Sequence, residues 1–160
     1  MADAQQYVTL GIAKEIFAVP VTQVQEILDV CPIAALPRAP AYLLGMIDVR
    51  GRGIPVIDLR MKIGIAAVED GRDTRILVLT VATEAGERLI GLKADRVFEV
   101  TSLDNDSLEP PPDIGAQWQS ELIAGVGRRK GAFVTVLDLK LMFASEKLGA
   151  IAEPAAQNAA

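Results

Sequence analysis

Glu26 and Glu99, and again Asp58 and Asp138, stand at matching places in the two halves of this 160-residue chain. Paired carboxylates can divide general-acid and general-base work when their environments push their pKa values apart. Little else in the sequence could share that work. It has no histidine, hence no His-based triad, no imidazole metal ligand and no histidine to accept a phosphoryl group. The single cysteine, Cys31, excludes an internal disulfide, a CxxC redox pair and a zinc ribbon. An enzyme built here would run on carboxylates and lysines alone. The aspartates have a simpler reading. Each follows an apolar run and precedes a leucine and a basic residue, where an Asp side chain accepts from the first free N–H groups of a helix. A structural device is repeated with its fold, whereas a catalytic residue is needed once, so capping is the better account.

Gly125-Val-Gly-Arg-Arg-Lys-Gly131 is glycine-rich and basic in the manner of a phosphate cradle, but it separates two apolar runs instead of joining a strand to a helix. It reads as a charged hairpin turn. Arg50-Gly51-Arg52-Gly53 reads as another tight turn, with glycine supplying positive φ. The linker 36–45 is apolar and punctuated by prolines, and must run over a surface. It either faces a partner or fills the core through Leu43 and Leu44. Trp118, the sole tryptophan, either anchors an interface or packs under the loop 104–113. Cys31, beside Pro32, reads as an inert small hydrophobe.

The elements that carry these residues are mostly strands. Short runs rich in Val, Ile and Leu at 7–12, 16–19, 54–57, 76–81, 89–92 and 133–137 are bounded by glycine, aspartate or charged residues. Residues 76–83 and 88–94 form a hairpin through 84–87. Helical signals are short, at 21–27, 58–63 and 138 to about 147. An internal repeat organises the whole. Residues 16–27 align with 89–100 at an offset of 73, with Val24/Val97 and Glu26/Glu99 identical. Residues 45–59 align with 125–139 at an offset of 80, with Gly45/Gly125, Gly51/Gly131, Val56/Val136, Asp58/Asp138 and Leu59/Leu139 identical. The reading is mainly β, with two similar lobes (about 12–66 and 74–143) and a groove between them. Exchange of terminal strands between the lobes is left open. From about residue 148 the chain reads as a loose tail.

Composition narrows the partners. Sixteen basic against 21 acidic side chains give a net charge of −5, and aromatics make up 4%. Nucleic-acid binding draws on clustered positive charge and stacking platforms, so it ranks last. No stretch free of Asp, Glu, Lys and Arg exceeds ten residues, short of the roughly 18 apolar residues of a membrane span, and the first residues lack a signal peptide's basic and apolar regions. Cytoplasmic residence is expected, with no cofactor, no metal and no direct membrane insertion.

The motif Leu43-Leu-Gly-Met-Ile-Asp-Val-Arg-Gly-Arg-Gly-Ile-Pro-Val-Ile-Asp-Leu-Arg60 resembles the CheW family of chemotaxis coupling proteins. Val24-Gln-Glu-Ile27, Leu36-Pro-Arg-Ala-Pro40 and Val134-Thr-Val-Leu-Asp-Leu139 match in order, so the resemblance covers residues 6–147. Asp48 departs from it, since Asn is usual there. The resemblance implies two SH3-like five-stranded β-barrels with short helices. It implies a non-catalytic adaptor joining the cytoplasmic tip of methyl-accepting chemoreceptors to the regulatory domain of the histidine kinase CheA, in arrays under the inner membrane that can include further CheW copies. The family's functional arginine falls on Arg50, and its ionic partner on Glu26. Val24, Ile27, Leu44, Ile47 and Val97 are the expected apolar receptor contacts, and Arg52 and Ile54 the expected kinase contacts. A CheW-like scaffold of a pathway controlling pili or gene expression, and a small carboxylate-based enzyme, are the alternatives.

Overall fold

The computed structural model describes residues 5–83, 86–104, 108–110 and 123–143. The expectations for Trp118, for the turn residues Glu84 and Ala85, for the last helix beyond 143 and for the tail lie outside these residues. The described chain forms the strands β1 (Gln6–Ile12), β2 (Glu15–Pro20), β3 (Val24–Asp29), β4 (Leu43–Val49), β5 (Arg52–Asp58), β6 (Arg75–Thr83), β7 (Gly86–Ala94), β8 (Arg96–Ser102), β9 (Ile123–Arg129) and β10 (Ala132–Leu137). Single-turn helices α1 (Leu59–Lys62) and α2 (Leu139–Met142) follow β5 and β10.

Two five-stranded sheets result, ordered β8-β1-β2-β10-β9 and β3-β6-β7-β5-β4. Replacing each strand by its counterpart five places along the chain turns one order into the other. The sequence repeat is therefore a repeat of strand pairing. Each sheet draws on both halves of the chain: β1 and β2 join β8, β9 and β10, while β6 and β7 join β3, β4 and β5. The parallel pairs β2–β10 and β5–β7 and the antiparallel pairs β1–β8 and β3–β6 make these joins. The chain passes between sheets twice, through a 3-10 turn at Val21–Gln23 and at the single residue Asp95.

Three apolar clusters hold this arrangement. Ile47, Ile54, Val56, Ile76 and Val78 fill one lobe; Tyr7, Ala18, Val134 and Val136 fill the other. The largest lies between the sheets and takes Leu10, Phe17, Ile57, Leu77, Leu92 and Leu139 among its members. Strand β6 serves two clusters at once, Ile76 and Val78 on one face and Leu77 and Leu79 on the other. Burial on both faces is why its sequence reads as a continuous apolar run instead of an alternating one. The expected open groove between lobes is thus corrected: the space is packed, and only its rim remains partly exposed.

A second correction concerns residues 21–27. Only Val21–Gln23 is helical, as one 3-10 turn, and Val24 onward is an edge strand paired with β6. Seven residues cannot settle as a helix when the neighbouring strand offers a full ladder and a face to bury. The capping reading holds. Asp58 Oδ1 accepts from the Arg60 N–H at 3.0 Å, and Asp138 Oδ1 from the Leu141 N–H at 2.9 Å. Asp58→Ala is expected to cost about 1 kcal/mol of stability, measured by thermal denaturation; an unchanged midpoint would remove the cap from the account.

Candidate functional site

The β4–β5 hairpin closes with Arg50 at φ 52° and Gly51 at φ 83°, the mirror-image turn that matches strand twist. Asp48 Oδ1 accepts from the Gly51 N–H at 2.8 Å. An Asn side-chain oxygen would make the same bond, so the departure at position 48 leaves the turn intact. The β9–β10 hairpin repeats the geometry with Lys130 at 52° and Gly131 at 83°. There the accepting carboxylate comes from Asp104, 3.0 Å from the Gly131 N–H. The Gly131 and Lys130 N–H groups hold its pKa below the ordinary aspartate value.

From this turn Arg50 reaches the edge strand β3. Its Nη1 donates to Glu26 Oε2 at 2.6 Å and its Nη2 to Oε1 at 3.0 Å, a fork-on-fork pair. Hydrogen bonding and then the charge of Glu26 raise the pKa of Arg50. The guanidinium side chain is 75% exposed and the carboxylate 25%. The pair joins the hairpin of one edge strand to the opposite edge strand of the same sheet. Leu28 of β3 and Leu44 of β4 pack on one cluster, so the sheet curls until its edges approach. The other sheet carries an equivalent. Arg129 donates through Nε and Nη2 to Glu99 Oε2 at 3.3 and 3.2 Å, again between the two edge strands. Sequence reasoning singled out Glu99 but missed Arg129, because the offset of 80 sets Arg50 against Lys130.

Val24 and Val97 lie beside these pairs, both partly buried against the shared core. Each strand breaks register there, β3 between Val24 and Glu26, and β8 opposite the Val8 to Leu10 step of β1. The break in β3 has a visible consequence. Val24 and Leu28 are an even number of residues apart, yet Val24 packs on the shared core and Leu28 on the lobe interior. An extra residue in a strand moves the following side chains to the other face. Ile27 is exposed, Leu44 is partly buried on the lobe cluster, and Arg52 is exposed. Ile47 and Ile54 are corrected: at 3% and 2% exposure they are interior, facing each other across the hairpin. Ile54 falls in the apolar run 54–57 read as a strand, but the face that it and Ile47 occupy is the buried one.

The apolar linker before β4 also finds its place. Ala34 and Met46 exchange backbone hydrogen bonds at 2.9 and 2.8 Å, while Leu36, Ala39 and Tyr42 pack on the shared core. Gly45 lies directly beneath the Ala34 carbonyl at φ 144°. In the second copy Glu109 bridges Val126, and Gly125 lies under Leu108 and Glu109. The Gly45/Gly125 identity therefore records a linker crossing the hairpin in both halves. Phe98 and Val100 of β8 and Phe133 of β10 are exposed apolar residues that sequence reasoning did not single out.

A second ionic group lies where the sheets meet. Arg60 Nη2 and Nε reach Asp95 at 2.7 and 2.9 Å, and the Ala13 N–H donates to Asp95 Oδ2 at 2.7 Å. Burial pushes the Asp95 carboxyl up, but the Arg60 bond, the Ala13 N–H and the charges of Arg60 and Arg96 together hold it below the ordinary value. Among the described residues no cluster of three or more His, Cys, Asp or Glu side chains could hold a metal ion, and no helix is long and apolar enough to cross a membrane.

Comparison with known proteins agrees with this scaffold. The family model for the CheW-like domain matches residues 6–147. Chemotaxis protein CheW of Rhizobium meliloti is 28% identical over 143 residues, spanning 89% of this chain and 90% of that protein. Chemotaxis protein CheW of Helicobacter pylori is 29% identical over 132 residues, 82% of this chain and 77% of that one. The crystal structure of the scaffolding protein TtCheW from Thermoanaerobacter tengcongensis superposes with a TM-score of 0.78 at 26% identity, over 90% of this chain and 95% of that one. A family match across nearly the whole chain, on a mainly β scaffold of two sheet lobes with short helices, makes this protein a member of the CheW family, a non-catalytic chemotaxis adaptor that couples receptors to the kinase CheA.

Proposed function

We propose that each curled sheet acts as a closed SH3-like barrel and that the two barrels together hold two different partners. The receptor side is the rim of the shared core, where Val24 and Ile27 offer apolar contacts beside the Arg50–Glu26 pair and Val97 beside the Arg129–Glu99 pair of the other sheet, with Leu44 partly buried on the adjoining lobe cluster. Its ligand is the helical cytoplasmic tip of a methyl-accepting chemoreceptor, because an amphipathic helix docks by laying apolar anchors against such a rim. The kinase side includes the exposed Arg52 on the β4–β5 hairpin, toward the regulatory domain of CheA. Further copies extend the assembly into arrays on the cytoplasmic side of the membrane, and residues 6–147 work as one module.

The observation that supports this reading most is the solvent-facing fork between Arg50 and Glu26. Exposed ion pairs contribute little to stability, so a pair of such defined geometry, next to the exposed Ile27, suits recognition better than folding. The test is reconstitution of kinase activity with receptor fragments and CheA, with and without the full chain. Val24→Asp combined with Val97→Asp is expected to lower receptor binding at least about tenfold while binding to CheA stays as in wild type. Equal loss of both would sink the division into two sides.

A further inference from the structure

Two sheets that share an apolar core can still rock against each other, because burial has no preferred direction. Contacts of defined geometry remove that freedom. Among the described residues the only covalent links between the sheets are the turn at Val21–Gln23 and the single residue Asp95, and these are counterparts in the repeat. They are held very differently. At Asp95 the carboxylate accepts from Arg60, in α1 directly after β5 of one sheet, and from the Ala13 N–H, in the β1–β2 turn of the other. The Asp95 N–H donates to the Gly11 carbonyl at 3.1 Å. Arg96 Nη2 donates to the Ala13 carbonyl at 2.7 Å. Gly11 leaves room for this, since a Cβ there would stand 3.0 Å from the Arg96 side chain. At the other link, position 22 is an exposed threonine where the repeat has Asp95, and position 140 an exposed lysine where it has Arg60. The turn there has no side-chain cap.

We propose that Asp95 is a positioning residue, a one-sided pin that sets the angle between the two sheets and so the spacing of Val24 and Val97. The angle is a property of the chain alone; only its consequence for docking rests on the proposed receptor site. Arg60 binds with both Nε and Nη2, so the contact fixes orientation as well as distance.

The experiment places spin labels at Glu87→Cys on β7 and Ala124→Cys on β9, both exposed, in a Cys31→Ala background of the full chain without partners. Asp95→Ala is expected to broaden the inter-label distance distribution, with Arg60→Lys between it and wild type. Val134→Ala, a core change within one sheet, is expected to lower the melting temperature but keep the distribution narrow. In reconstituted complexes Asp95→Ala is expected to reduce receptor control of the kinase about tenfold, within the range of ordinary coupling free energies. A distribution as narrow in Asp95→Ala as in wild type would overturn the pin, and so would equal broadening in Val134→Ala. Because the distances are read without partners, they decide the pin even where the docking assignments fail.

Discussion

Gly45→Ala is expected to destabilise the protein by about 3–5 kcal/mol, combining positive-φ strain with two lost backbone hydrogen bonds. An added Cβ would fall on the Ala34 carbonyl, 2.7 Å from its carbon, and the obstacle is backbone that no rotamer can clear. The φ of 144° adds strain for any L side chain. Relief requires lifting the linker off β4. That breaks both Ala34–Met46 bonds and withdraws Leu36, Ala39 and Tyr42 from the shared core. Gly51→Ala provides the comparison. Nothing lies within 4 Å of its added Cβ, so only the positive φ is penalised, at about 1 kcal/mol. Urea denaturation of both variants measures the difference. Equal, small losses would mean that the linker yields freely and that the Gly45/Gly125 identity has another cause.

Arg50→Ala is expected to abolish most receptor control of the kinase, by about tenfold or more, with a melting temperature close to wild type. The second half of that expectation follows from exposure: a guanidinium this solvated adds little to the folded state. Glu26→Ala is expected to lose coupling to a similar extent, because either change dissolves the same fork. The double variant should then be no worse than either single one, the signature of two groups acting as a unit. Additive losses would show Arg50 and Glu26 working independently. Arg50→Lys keeps the charge but not the fork, and should restore coupling only in part.

Much of this site was legible in the chain. Turn residues, caps and strand ends are local features, so Arg50-Gly51, Asp58 and Asp138 could be read from a few neighbours. The Glu26–Arg50 pairing was legible through family resemblance alone, since 24 residues separate the partners. Its counterpart Glu99–Arg129 escaped because the hairpin tips align in register, Arg50 with Lys130 and Gly51 with Gly131, while the arginine that meets Glu99 stands one residue before the tip. Ile47 and Ile54 were misplaced for a different reason. A strand with apolar residues at successive positions has two apolar faces, and the chain does not say which one its own lobe will cover.

The sequence by itself determined the duplicated set of apolar segments, the positive-φ turns at Arg50-Gly51 and Lys130-Gly131 and the helix caps at Asp58 and Asp138, because these follow from φ preferences and hydrogen bonds within a few residues. Tertiary structure alone decided which half each strand would join, that the space between sheets would be filled, and that Asp95 would meet Arg60 and Ala13. Those outcomes depend on burying apolar faces contributed by segments far apart in the chain, and burial favours whichever assembly removes most surface from water, with no local signal marking the partner.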